Sequence, residues 1–91
     1  MADIEFDPEK SRRNAIEREI DFYQAARIFD GPVIEWQDIR KDYGETRFIA
    51  VGREGGDILT VVYTWRDDRR RIISARKASK RERDVYRSYY N

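Results

Sequence analysis

Residues 58–77 read ILTVVYTWRDDRRRIISARK, two apolar runs joined by the polar turn Asp67-Asp68-Arg69. In the first run Leu59, Val61, Tyr63 and Trp65 recur at every second position, the period of a strand whose alternate side chains share one face. The second run, Arg70 to Lys77, is β-branched around Ile72 and Ile73 and closes a hairpin. Period two sorts it into Arg70, Ile72, Ser74 and Arg76 on one face and Arg71, Ile73, Ala75 and Lys77 on the other. Arg66, at the end of the first strand, then lies opposite the start of the second.

Working outward, Gly55-Gly56 signals a turn behind a strand from Thr46 to Gly52, in which Phe48 and Ala50 alternate with Arg47, Ile49 and Val51. Val33 to Trp36 is a shorter strand. Before Gly31 the period is helical. Asp7-Pro8 reads as an N-cap with proline at the first helical position, opening a helix to about Ile20 whose apolar stripe, Ala15, Ile16 and Ile20, is thin. Asp21 caps a second helix with Phe22, Ala25, Ala26 and Phe29 at i, i+3, i+4 and i+7, stopped by Asp30-Gly31-Pro32. Downstream, Ser79 and Glu82 form an S-x-x-E capping box for a last helix with Val85, Tyr86 and Tyr89 on one side. The expected fold is α+β: two N-terminal helices, an antiparallel sheet of three to four strands and a C-terminal helix. A single domain over residues 1–91 is expected, with the helices packed on one face of the sheet.

A chain of 91 residues buries only about 60% of its unfolded surface, so a deep catalytic cleft is not expected. There is no cysteine, hence no disulfide or thiolate chemistry, and no histidine, which excludes a Ser/His/Asp triad and a His-rich metal site. Acid-base work falls to Glu, Asp, Lys, Arg or Tyr with shifted pKa values. Asp38, Asp42 and Glu45 are the nearest thing to a carboxylate metal site, but without EF-hand spacing they read as surface acids. Neither metal nor cofactor is expected. The N-terminal MADIEFDPEK has no apolar h-region and no run approaches a membrane span, so the expectation is a cytoplasmic protein that does not meet a membrane.

The charge is unevenly distributed. From Arg66 to Asn91 there are ten Lys and Arg against four acids, a balance of +6, and the first 65 residues carry −5. A basic block is the footprint of a polyanion-binding face or, equally, a solvated and salt-bridged surface. A sheet face bearing Arg47, Arg66 and Arg76 would set guanidinium forks side by side for bidentate phosphate contacts, with Arg71 and Lys80 adding charge. Trp65, Tyr63 and Tyr86, with Tyr89 and Tyr90, are suited to stack on unpaired bases, which favours single-stranded RNA over duplex DNA. The competing reading of Tyr63 and Trp65 is packing under the last helix.

Two segments carry a family resemblance. DGPVIEWQDIRKDYGETRFIAVG and ILTVVYTWRDDRRRIISARKASKRERDVY resemble BrnT, the ribonuclease toxin of a bacterial type II toxin-antitoxin pair. The likeness runs from Phe6 to Tyr86. It is most specific in D-x-R-x-x-Y-G-E-x-R at Asp38, Arg40, Tyr43, Gly44, Glu45 and Arg47, and in R-I-I-S-A-R-K-A from Arg71 to Ala78. The resemblance implies a RelE-like fold, RNA cleavage that arrests translation, and a ribbon-helix-helix antitoxin of the BrnA type. It also implies operator DNA contacted only through the antitoxin complex. Residue chemistry then makes Arg66, Arg76 and Lys77 the phosphate and transition-state contacts, Trp65 a stacking platform, and Glu45 with Arg47 supporting or proton-transfer groups.

Members of that family read N-x-x-K-H-G-V-x-F at the end of the first helix. In this chain Asn14 is followed by Arg18 and Glu19 where histidine and glycine are usual, so the helix is expected to end without a glycine cap and no histidine can act as acid or base. Glu45 becomes the expected base and Lys77 or a tyrosine the acid, in a slow, metal-independent ribonuclease. The alternative is a module that grips RNA or an antitoxin without cutting.

Overall fold

The computed structural model describes residues 3–90. Along the chain run β1 (Ile4–Glu5), α1 (Pro8–Arg18), α2 (Phe22–Ala26), a 3-10 turn (Arg27–Asp30), β2 (Val33–Asp38), β3 (Arg47–Glu54), β4 (Asp57–Arg66), β5 (Arg69–Lys77) and α3 (Lys80–Tyr89). The sheet has five strands in the order β1-β5-β4-β3-β2. The α+β class stands, but the sheet is mixed, because β1 pairs with β5 in parallel while the other pairs are antiparallel. The expected three to four antiparallel strands are thus corrected to four antiparallel strands and one parallel edge. Two residues give no readable period, and β1 exists because a neighbouring strand receives it, Arg70 donating its N–H to the Asp3 carbonyl at 3.0 Å.

The helix caps form as their residues dictate. The Asp7 carboxylate accepts from the Glu9 N–H, Asp21 accepts from the Gln24 N–H, and Ser79 and Glu82 form the reciprocal capping box. α1 ends on Glu19 in the left-handed conformation, φ 61°, a residue with a side chain in the conformation that glycine favours. Its thin stripe is corrected in part: Ile20, just past the helix, is buried, but Ile16 is exposed, and the buried groups on α1 itself are Ser11 and Asn14. Asn14 donates to the Ile20 and Ala75 carbonyls at 2.7 and 3.0 Å, tying the helix end to β5 through polar contacts where an apolar face would ordinarily do so.

Helices cover both faces of the sheet, which corrects the expectation of one covered face. Ile20, Phe22, Ala25 and Ile28 pack against Ala50, Leu59, Val61, Tyr63, Ile72 and Ala75 on one side. On the other, Tyr86 of α3 packs with Val51, Ile58 and Ala78. Successive strand residues point to opposite faces, so Ala50 and Val51 belong to different cores. β4, at the centre, is buried on both sides. Gly52 sits where Ile28 crosses β3: a Cβ there would meet Ile28 Cβ at 2.8 Å and Val33 Cγ1 at 2.9 Å.

Candidate functional site

The β4–β5 hairpin contains the irregularity that builds the site. Val62 faces Ser74, but Tyr63 faces Ile72, so Ile73 is an extra residue on β5 and the alternation inverts across it. Arg69 and Arg71 therefore share a face with Ser74 and Arg76, while Arg70 and Ile72 go with Ala75 and Lys77. The strict period-two grouping, Arg70 with Arg76 and Arg71 with Lys77, is corrected by this one residue.

α3 covers only part of its face. Beyond it, one row of side chains crosses the sheet. Glu5 is paired with Arg71 and Arg71 with Thr64, and one step past the Phe48–Tyr63 pair Thr64 lies beside Arg47, which is paired with Asp38. Arg47 and Arg71 sit two strands apart, roughly 10 Å between backbones, flanking the buried Thr64. Arg66 and Arg69 form the pair next to this row toward the hairpin turn, and Arg76, paired with Thr60, lies on the α3 side. Four strands thus place Arg47, Arg66, Arg69, Arg71 and Arg76 with Glu5 on one face as an arginine cradle, in which Arg76, opposite Thr60, stands four β4 positions from the row of Thr64.

Carboxylates position these guanidinium groups. Arg76 gives Glu82 a two-pronged contact, Nη1 to Oε1 at 2.7 Å and Nη2 to Oε2 at 2.9 Å. Glu82 also accepts from the Thr60 hydroxyl and the Ser79 N–H. Arg76 above all holds the Glu82 carboxyl down to about 2. The same pair pushes the Arg76 guanidinium up. Glu5 collects three cations, Arg71 at 2.9 Å, Arg66 at 3.7 Å and Arg69 at 4.0 Å.

The loop between β2 and β3 explains why Asp38, Arg40, Tyr43, Gly44, Glu45 and Arg47 occur together. The buried Asp38 accepts from Arg40 Nε and Nη2, both at 2.8 Å, from the Arg40 N–H and from the Tyr43 hydroxyl. The Arg40 side chain foremost, with its N–H and Tyr43 adding to it against burial, holds this carboxyl well below the usual range. Gly44 takes φ 74° and turns the chain back. The Arg47 guanidinium then lies 4.1 Å over the Tyr43 ring and donates to Glu45 at 2.9 Å. One buried acid thus orders the loop that aims Arg47.

The remaining sequence candidates lie elsewhere. Lys77, Tyr63 and Trp65 are on the opposite face of the sheet from Arg66, Arg71 and Arg76. Tyr63 is buried, its hydroxyl donating to Glu35, and burial raises its pKa, so it offers no ring face to a base. Trp65 is half exposed, but Arg70 lies over its ring at 4.7 Å and over Phe29 at 4.2 Å. Tyr86 is 1% exposed and donates to the Pro32 carbonyl, an anchor for α3. Lys80 pairs with Asp84 on the solvent side of α3. Burial corrects the stacking expectation for Tyr63 and Tyr86. Arg18 and Glu19 end a helix on the side away from the cradle, so the position usually histidine is not part of it. Sequence reasoning missed Glu5, Arg69 and the aiming role of Arg40 and Tyr43. Of these only Arg40 and Tyr43 had a signal, their spacing from Asp38.

Among the described residues no three acids, or other potential ligands, gather as a metal cage, and no helix is long and apolar enough to cross a membrane. The model of the family "Ribonuclease toxin, BrnT, of type II toxin-antitoxin system" matches residues 6–82. The fold is similar to the crystal structure of the Brucella abortus ribonuclease toxin BrnT, with a TM-score of 0.64 at 23% identity, covering 88% of this chain and 100% of that one. No curated protein matches in sequence.

Proposed function

The chain belongs to the BrnT family of ribonuclease toxins of type II toxin-antitoxin systems, and from that premise we propose that the arginine cradle is where it holds and cuts RNA, without a metal, to arrest translation. The observation that carries this reading is the placement of Arg47, Arg66, Arg71 and Arg76 on the one sheet face that α3 covers only in part. Transesterification of RNA builds negative charge on a pentacoordinate phosphorus, and preorganised cations aimed at developing charge supply a large catalytic contribution. Arg76, fixed by Glu82, and Arg47, fixed by Glu45 and Tyr43, are held before any substrate arrives, so little reorganisation is needed.

Lys77 and Trp65, on the reverse face, are assigned to binding the flanking strand where it wraps the hairpin, with Lys80 adding charge at the rim. A single RelE-like domain suffices for this. Membership also implies an antitoxin partner. We assign it to the ribbon-helix-helix, BrnA type, covering the cradle and carrying the operator-DNA contacts of the complex. Action in the cytoplasm follows from that role.

The test is incubation with single-stranded RNA in EDTA, followed on a denaturing gel beside Arg76→Ala. Cleavage by the wild type that falls at least tenfold in the variant is expected. Intact RNA with the wild type, both free and in a translation extract, would instead favour a gripping module. The observation on that module's side is that each cradle arginine already has a carboxylate partner.

A further inference from the structure

The ribonuclease reading of the cradle leaves the base that activates the ribose 2′-hydroxyl to be found among four carboxylates. Two are committed. Asp38 is buried and accepts from Arg40 and Tyr43 through both oxygens, and Glu82 spends both oxygens on Arg76, with Thr60 and Ser79 besides. Glu45 is exposed, in a loop, beside one arginine. Glu5 differs from all three. It stands on a strand, in register with Arg71, and Oε2 accepts the Arg71 hydrogen bond at 2.9 Å. Among the described residues Oε1 accepts no hydrogen bond, and Arg69 stands 4.0 Å from it. The charges facing it, Arg66 from β4 and Arg69 and Arg71 from β5, are all cations, and the first two point largely into solvent.

We propose that Glu5 is the general base of RNA cleavage, its free oxygen taking the 2′-hydroxyl proton while Arg66 and Arg69 swing onto the adjacent phosphate. The 2′-oxygen bonds to phosphorus, the bond from phosphorus to the 5′-oxygen breaks, and water protonates the departing 5′-oxygen. Glu5 returns its proton to solvent. The products are a 2′,3′-cyclic phosphate and a 5′-hydroxyl. Three guanidinium groups around one carboxylate serve two ends: they fix its direction, and they are the charges the phosphate needs one bond length further on. The carboxylate thereby supplies a base in a chain without histidine, and supersedes Glu45 in that role.

The experiment compares wild type, Glu5→Gln and Glu5→Asp for cleavage of single-stranded RNA and for binding of the same oligonucleotide with 2′-deoxy sugars, which offers no nucleophile. Glutamine keeps the size of the side chain, and β1 is paired through its backbone. Expected is a fall in kcat of about 100-fold or more in Glu5→Gln, the range of a lost general base, with binding unchanged or tighter because a negative charge has left the phosphate site. Glu5→Asp should fall between the two. Cleavage by Glu5→Gln within threefold of wild type overturns the proposal and leaves the ribonuclease reading standing. A parallel loss of binding and cleavage also overturns it, reducing Glu5 to a positioning residue for the arginines. Products with a 5′-phosphate overturn it too, since water and not the 2′-hydroxyl would then be the nucleophile. RNA left intact by the wild type, both free and in a translation extract, fells both readings together.

Discussion

Glu82 joins helix, strand and cradle through one carboxyl, and its charge state is visible in the acid stability of the fold. Its pKa is lowered from 4.5 to about 2, by Arg76 first. A carboxyl depressed on folding contributes stability that is fully present above its unfolded pKa and is lost as pH falls through the folded one. The window runs from about pH 4.5 down to 2. Since Arg76 is partly solvated, the loss is expected to be on the order of 1 to 2 kcal/mol. Denaturant melts across that window should show a smaller decline for Glu82→Gln than for the wild type. An equal decline in the two would mean that Glu82 is not the group titrating. Glu19 makes a second prediction at this scale. It holds φ 61°, a conformation costing an L-residue about 1 to 2 kcal/mol, part of which glycine gives back as unfolded-state entropy. Glu19→Gly should therefore raise stability by roughly 0.5 to 1 kcal/mol, read as a higher denaturation midpoint with unchanged slope.

Among the elements, the caps and hairpins were legible because their signals are local. Asp7, Asp21 and Ser79 cap as their types require, and Gly55-Gly56 and Asp67-Asp68 turn between the pairs Glu54–Asp57 and Arg66–Arg69, with Gly55 and Asp67 at positive φ. β1 and the bulge at Ile73 were not legible. A two-residue strand carries no period, and a bulge is fixed by the partner strand's register as much as by its own residues. Gly52 lies close under the 3-10 turn, with no room for a Cβ. Gly52→Ala should cost about 1 to 3 kcal/mol, the range for overpacking a closed core, because the nearest neighbour is the short side-chain stem of Ile28. Chemical denaturation of the variant beside wild type checks this. A neutral result would show that the turn lifts off the sheet without cost.

On the scale of the whole molecule, charge is segregated along the chain, with the basic excess from Arg66 onward, and the cradle arginines are paired with carboxylates beside them. Each arginine released from its carboxylate by a phosphate frees an internal partner in place of a salt ion. Four arginines, Arg47, Arg66, Arg71 and Arg76, would give single-stranded RNA a salt slope near −0.7 per contact, about −3 in all. Internal pairing should hold the measured slope of log K against log salt to about −3 or shallower, read by fluorescence anisotropy with an uncleavable oligonucleotide. A steeper slope would mean that the RNA footprint extends well past the cradle, onto residues such as Lys77 and Lys80.

What the sequence determined by itself is what local chemistry and composition control: the α+β order, the helix caps, the tight turns, the absence of histidine and cysteine chemistry, and, through the spacing of Asp38 to Arg47 and Arg71 to Ala78, the family. What only the tertiary structure decided is which of those residues meet. Ile73 slips out of register and moves Arg71 to the side of Arg76, α3 settles on the face opposite the other helices, and Glu5 arrives at Arg71 across an interval of 66 residues. The physical reason is that a side chain's face and neighbours are set by pairing between distant strands, and an alternating pattern states a period without stating its phase once a single residue bulges.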